Sequence, residues 1–247
     1  MTGTSVLTVF VAALLTALAT GLGALPLLFA HTGGQRALGL ANAAASGVMA
    51  GASVSLILEG AHRSSLRTGV GILAGVLFIL VVSHYLHVPH HEFALGSLRG
   101  DDAVKGLLIV AVMTAHSVSE GVGVGAAFGG GETLGILITI AIAVHNVPEG
   151  LAISLVIVPR GASVRSAAGW SIFSSLPQPL LAVPAYVFVD SFRGVLPVAL
   201  GFAAGAMIWM VLRELLPDAL LQAPARAVAL TAAVAFFGML AFQLILL

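Results

Sequence analysis

Polar positions along this chain are sparse and clustered, and long apolar stretches separate the clusters. Eight windows hold at most one Asp, Glu, Lys or Arg: 1–35, 37–58, 68–91, 106–131, 133–159, 166–189, 194–212 and 227–247. Each is at least 19 residues long, and a helix needs roughly 20 apolar residues to cross the hydrocarbon core of a bilayer. The pattern predicts an all-α polytopic membrane protein with eight transmembrane helices, over about 6–29, 38–58, 68–86, 103–128, 133–158, 167–189, 195–216 and 226–246. Every connection is short, so residues 1–247 are expected to form one transmembrane domain.

Composition agrees. The chain is 59% hydrophobic and 8% charged, with 10 Lys+Arg against 10 Asp+Glu. A soluble domain carries about a quarter of its residues as charges, so soluble globular, disordered and fibrous classes are excluded. Zero net charge gives no reason to expect a nucleic-acid partner. The absence of cysteine rules out disulfides and thiolate ligands, so any metal site must use nitrogen and oxygen donors. Residues 6–19 look like the core of a signal peptide, but the leading MTGTS lacks Lys and Arg, so the first window reads as a retained helix.

The remaining charges suggest an orientation. With eight spans both termini share one side. Arg36, Arg99, Lys105, Arg160, Arg165, Arg213 and Arg226 fall on the opposite side, and only Arg63, Arg67 and Arg193 on the terminal side. This bias places the termini outside and the 86–105 segment in the cytoplasm. Most of the 29 glycines read as close-contact positions between membrane helices.

Two windows carry a charge, and both carry it at the centre. Window 106–131 contains His116-Ser117-Val118-Ser119-Glu120-Gly121, and window 133–159 contains His145-Asn146-Val147-Pro148-Glu149-Gly150. An acidic side chain at mid-membrane costs about 2.5–3.5 kcal/mol on insertion scales. Two at matched depth call for a compensating cation or a water-filled path. His and Glu at i and i+4 lie on one helical face, so two antiparallel helices can converge His116, Glu120, His145 and Glu149. Two imidazoles and two carboxylates suit Zn²⁺ and other first-row dications, and two carboxylates with one M²⁺ sum to zero charge. A lone intramembrane Glu is often a proton-relay group, and a lone His a packing residue. Repetition of His-x-x-x-Glu-Gly in consecutive spans argues against both, and no His-Glu-x-x-His motif supports a zincin-type protease.

The HSVSEG and HNVPEG pair in the fourth and fifth of eight spans resembles the ZIP (Zrt/Irt-like) family of divalent-metal transporters. The resemblance extends to the His-bearing segment before the fourth span, to SLPQPL in the sixth and to ELLPDA closing the seventh. It implies import of Zn²⁺, and of Fe²⁺, Mn²⁺ or Cd²⁺ in many members, toward the cytoplasm. It also implies a 3+2+3 arrangement with an inverted repeat, alternating access by an elevator-like movement, and no prosthetic group. Many members form dimers, so a second copy joins the metal ion and the lipid bilayer as an expected partner. The localisation implied is the plasma membrane (the inner membrane in a bacterium). The family's primary site maps to His116, Glu120, His145 and Glu149. Its adjacent second site, built in bacterial members from Asn, Asp and Glu, falls on Ser117, Asn146 and Gln178. Neutral groups there predict one tightly held ion, with these three as weak or vestigial ligands.

Secondary clusters are weaker. His84, His87, His90, His91 and Glu92 form a His-rich tract in the predicted cytoplasmic loop, suited to weak metal capture. Glu59 and His62 sit together near the outer end of the second span. Met49 and Met113 read as packing. Arg213, Glu214 and Asp218 read as a snorkelling cluster with a local ion pair, Glu214 and Asp218 being open to an exit-path role. The expected function is metal transport and not catalysis. An intramembrane zinc-dependent hydrolase is the alternative from another class, but four protein ligands leave it no open position. A proton-driven carrier of an organic solute would leave both histidines unexplained.

Overall fold

The computed structural model describes residues 4–28, 35–85, 94–95, 98–99 and 101–246. Helices account for nearly all of it. They are α1 (Val6–Leu22), α2 (Gln35–Tyr85), α3 (Asp101–Gly130), α4 (Glu132–Ile157), α5 (Val164–Ser175), α6 (Pro177–Ser191), α7 (Leu196–Met210), α8 (Leu216–Gln222) and α9 (Ala225–Leu246). Before α3, Ala94–Leu95 pairs antiparallel with Leu98–Arg99.

Among the described residues, seven helical stretches are long and apolar enough to cross a membrane. Charge spacing predicts eight, and the difference lies in α2. Its stretch Gln35–Val82 counts once although it has 48 residues. At 1.5 Å per residue a straight helix of that length would reach about 72 Å, more than twice the hydrocarbon thickness. It is not straight. Ser64 adopts an extended backbone (φ −168°, ψ 104°) inside α2, and a Cβ built on Gly60 would lie 2.7 Å from Thr68 Oγ1. Residues eight apart in one helix could not meet, so the chain doubles back at Ser64.

Prolines set two other junctions. Pro177 opens α6 directly after α5, where its missing N–H costs nothing, so the expected 167–189 span is two abutting helices. Pro217 cannot donate to the carbonyl of Arg213, and the turn before it, Val211–Leu215, widens into a π-helix between α7 and α8. This places Glu214 on a π-turn, a distortion common at functional positions.

The helices form two sub-bundles. In one, α1 lies on α4, α5 and α6, and α3 lies on α4 and α6. Here glycine brings backbones together. A Cβ on Gly150 would overlap the Thr20 carbonyl, and one on Gly121 would come 2.7 Å from the Gln178 carbonyl oxygen. In the other sub-bundle, α2 lies on α7, α8 and α9. There a Cβ on Gly205 would overlap the Ile72 carbonyl, and one on Gly47 the Ala232 carbonyl. The two meet through α3 on α7 and α2 on α4, where Gly123 faces the side chain of Ala203 and no backbone.

The turn between α3 and α4 needs glycine, because Gly131 has φ +144°. Arg63 on α2 and Arg193, between α6 and α7, cap the carbonyls that end α3. Arg193 Nη1 donates to Gly129 O at 2.8 Å, and Arg63 Nη2 to Gly130 O at 3.4 Å. Carboxylates hold both arginines, Asp190 for Arg193 and Glu59 for Arg63. Cations suit the carbonyl end of a helix.

Candidate metal site

The paired motifs sit mid-way along neighbouring helices, His116, Ser117 and Glu120 on α3 and His145, Asn146 and Glu149 on α4. All six are buried. Pro148 lies inside α4 and removes the N–H that would bond the Val144 carbonyl, loosening the helix beside His145. Close contact at Gly121 and Gly150, the residues that follow each Glu, lets α6 and α1 come up against the acidic turn.

Glu120, His145 and Glu149 each present a ligand atom, and these atoms lie within 4.8 Å of one another. His145 Nε2 is 3.0 Å from Glu120 Oε1. Glu120 Oε2 accepts a 2.5 Å hydrogen bond from Gln178 Nε2 on α6. Glu149 is different. Among the described residues neither of its buried oxygens has a hydrogen-bond partner, nor has His145 Nδ1. A buried carboxylate with no donor is costly in a low-dielectric interior. Three ionisable groups whose donor atoms converge, two of them carboxylates, are suited to a divalent cation bound through nitrogen and oxygen.

His116 stands apart from this trio. Its Nδ1 donates to the Val112 carbonyl at 2.6 Å, which leaves Nε2 with the lone pair. Nε2 lies 3.4 Å from Glu214 Oε2 on the π-turn. Glu214 and Asp218 line a cavity of about 400 Å³ whose wall also includes Val112, Met113, Val156 and Arg213. The cavity lies toward the α3 N-terminus and the α4 C-terminus, and His116 is one helical turn deeper than Val112. Arg213 itself is over the Trp209 ring, 5.7 Å from its centre, so the cluster read as snorkelling residues also borders the approach to the buried motif.

Asn146 and Gln178 both reach the cluster but contact it differently. Asn146 Nδ2 donates to the Thr16 carbonyl at 2.8 Å and to Gln178 Oε1 at 3.1 Å. Thr16 Oγ1 lies 2.5 Å from Gln178 Oε1 and 2.7 Å from the Ala13 carbonyl, the two acceptors for its single hydrogen. Ser117 Oγ is buried without a partner among the described residues. Sequence reasoning misses Thr16, because a Thr in a membrane helix ordinarily bonds its own helix backbone, as Thr16 does with the Ala13 carbonyl in addition to reaching Gln178. The signal it does carry is its spacing with Ala13 and Thr20, which form a small, buried face on α1.

Of the loop cluster, His84 is exposed at the end of α2, and His87, His90, His91 and Glu92 lie outside the described residues. Glu59 and His62 share the wall of a cavity of about 250 Å³ with Ser55 and Leu137, where Glu59 is ion-paired to Arg63 at 2.8 Å. Met49 and Met113 are buried in the apolar core.

An all-helical bundle of membrane-crossing length, with two carboxylates and a histidine converging inside it, defines an integral membrane protein with an intramembrane candidate cation site. Comparison with known sequences narrows this class. The profile of the ZIP zinc transporter family matches residues 86–246. The chain is 47% identical over 238 residues to an Arabidopsis thaliana protein named "putative zinc transporter", covering 95% of this chain and 38% of that protein. It is 32% identical over 223 residues to the zinc transporter GufA of Myxococcus xanthus, covering 84% of this chain and 87% of that one. It is 34% identical over 223 residues to the zinc transporter ZupT of Xanthomonas axonopodis, at 82% and 81% coverage. The chain therefore spans well under half of the plant relative and most of the two bacterial ones. It belongs to the ZIP zinc transporter family.

Proposed function

We propose that this protein carries divalent transition-metal cations, Zn²⁺ foremost, across a membrane through the buried Glu120, His145 and Glu149 cluster. The observation that carries the proposal is the Glu149 carboxylate, buried with both oxygens unpartnered among the described residues, beside a second carboxylate and an imidazole. Family membership supports the same reading, and ZIP proteins are transporters and not enzymes, so the hydrolase alternative falls away.

The cation is cargo, held by deprotonated carboxylates and neutral imidazole, so its binding displaces protons. His116 completes the His₂Glu₂ set when its Nε2 turns from Glu214 toward the trio. In the arrangement described, Nε2 and Glu214 instead face each other at 3.4 Å, which suits handing the ion from the buried cluster to the 400 Å³ cavity. Glu214 and Asp218 are the exit groups in this reading, and Fe²⁺, Mn²⁺ and Cd²⁺ are further substrates suited to the same donors.

We infer eight spans, counting the halves of α2 separately, in a 3+2+3 arrangement with an inverted repeat, α3 and α4 being the central pair. The fold-back at Ser64 supports this count. The protein lies in the plasma membrane with both termini outside and the large cavity open to the cytoplasm, as the arginine bias favours. Alternating access follows from the two sub-bundles. Backbone-to-backbone glycine contacts tie helices within each, while Gly123 meets only a side chain across the junction. The sub-bundle holding the site can therefore shift against the other as a unit. A homodimer is the expected assembly.

The test is Zn²⁺ flux into proteoliposomes, comparing the parent with Glu149→Ala and His145→Ala. Both variants are expected to lose flux. Undiminished flux in both would refute the transport site.

A further inference from the structure

Four buried groups beside the site form a hydrogen-bonded chain whose direction is dictated at both ends. One end is the Thr16 carbonyl on α1, which can only accept. The other is the Glu120 carboxylate on α3, which as an ionised group can only accept. Between them lie two side-chain amides, Asn146 on α4 and Gln178 on α6, whose oxygen and nitrogen ends are interchangeable by shape but not by chemistry.

The constraint propagates from the carbonyl. Asn146 must turn its NH₂ toward Thr16 O, 2.8 Å away. That same nitrogen has a second hydrogen, which reaches Gln178 at 3.1 Å, so the Gln178 atom facing it must be Oε1. The Thr16 hydroxyl also lies 2.5 Å from this oxygen, its single hydrogen being shared with the Ala13 carbonyl at 2.7 Å. With its oxygen turned to the Asn146 N–H, Gln178 has only its NH₂ to present to Glu120, and Nε2 lies 2.5 Å from Oε2. Turning either amide would set oxygen against oxygen. Thr16, Asn146 and Gln178 are fully buried, away from any bulk solvent that could absorb the mismatch.

We propose that Thr16, Asn146 and Gln178 form a polarised amide relay that positions Glu120, and that neither Gln178 nor the relay's nitrogen atoms ligate the metal. This rests on the transport site proposed above. The consequence concerns the second cation position expected from Ser117, Asn146 and Gln178. Gln178 points an N–H, not a lone pair, at Glu120. It supplies partial positive charge at Oε2 and so takes the place of a further ion there. Glu120 Oε1 stays directed at His145 and the transported cation. Hydrogen-bond direction thus removes Gln178 from the ligands of a second ion, leaving only the neutral Asn146 Oδ1 and Ser117 Oγ, which have no partner among the described residues.

Residues acting through one N–H should not act independently. The test is equilibrium Zn²⁺ binding to the full chain in detergent micelles, for the parent, Asn146→Leu, Gln178→Leu and the double variant. A hydrogen bond to a charged group is lost or misdirected in each, so each single change is expected to weaken binding about tenfold or more. The double variant should be no weaker than Gln178→Leu alone. Bound Co²⁺ should keep the parent's absorption spectrum in Gln178→Leu, because the ligands are unchanged there. Thr16→Val, which keeps the side-chain shape, should weaken Zn²⁺ binding in the parent and leave Gln178→Leu unaffected, with Thr16→Ser restoring the parent. Losses that multiply in the double variant, an altered Co²⁺ spectrum in Gln178→Leu, or an equal Thr16→Val effect in both backgrounds would overturn the relay. A parent that binds no Zn²⁺, or binds it unchanged after Glu149→Ala, would overturn the transport site itself and the relay with it.

Discussion

The two sub-bundles differ in how many of their buried polar side chains bond across helices. Among α2, α7, α8 and α9, buried hydroxyls mostly bond their own helix. Ser46 donates to Asn42 O, Ser53 to Met49 O and Thr68 to Ser64 O, each four residues back. Such bonds ask nothing of a neighbouring helix. Among α1, α3, α4, α5 and α6, hydroxyls such as those of Ser119, Ser154 and Ser174 bond their own helix too, but further polar groups reach across. Thr20 bonds Ser175 at 2.8 Å, Ser171 reaches the Gly150 carbonyl, and Gln178 joins α1, α3 and α4. Both sub-bundles rely on glycine for close approach, so tight packing is common to them. What distinguishes the site-bearing one is that its polar groups need one another's helices in register. The candidate site lies where interhelical hydrogen bonds concentrate, and the framework keeps the bond from Ser55 on α2 to Gln243 on α9.

That contrast predicts a ranking of effects. Glu120→Ala should lower Zn²⁺ flux by more than about a hundredfold, beyond the 10–100-fold typical when only a group supporting a ligand is lost. Proteoliposome uptake measures it. Gly150→Ala and Gly205→Ala should each destabilise the fold by about 1–3 kcal/mol, since each Cβ meets a backbone carbonyl. Only Gly150→Ala, which moves Glu149, should also reduce bound zinc. Thermal denaturation in detergent together with metal analysis separates the two, and equal zinc loss in both variants would erase the distinction between sub-bundles. Glu214→Gln should slow flux roughly tenfold while leaving bound zinc per chain unchanged, because Glu214 borders the cavity and not the trio. Ser46→Ala and Ser53→Ala should change stability by less than about 0.6 kcal/mol, whereas Ser175→Ala, which breaks an interhelical bond, should cost up to about 1.7 kcal/mol. A reversal of that order would remove the basis of the comparison.

Much of the fold is legible in charge spacing, because the bilayer forbids charges over lengths of about 20 residues and the chain obeys this. Legibility is poorest where a helix does not end in a charged loop. Spacing predicts 38–58 and 68–86 as separate spans, and their junction is one extended residue, Ser64, inside a continuous helical run. Pro177 and Pro217 are visible in the sequence, but a π-turn that carries Glu214 depends on how α7 and α8 meet their neighbours. At the site, Glu120, His145 and Glu149 are legible because each sits at mid-window and one turn from its motif partner. His116 has the same spacing and a different outcome, since its Nδ1 bonds Val112 and its Nε2 faces Glu214. Helical period places a side chain on a face. It does not select the rotamer.

Residue type and spacing are enough to put this chain in a membrane and to set two carboxylates at its middle. Hydrophobic transfer and the cost of a buried charge belong to individual residues along the chain, and need no knowledge of neighbours. Which groups face those carboxylates is a matter of three-dimensional arrangement alone. Glu149 is left without a donor among the described residues, while Glu120 takes an N–H from Gln178 that Asn146 and the Thr16 carbonyl orient from two other helices. Hydrogen bonds are directional and short, so their assignment rests on angstrom-scale approach between segments as distant in sequence as α1 and α6.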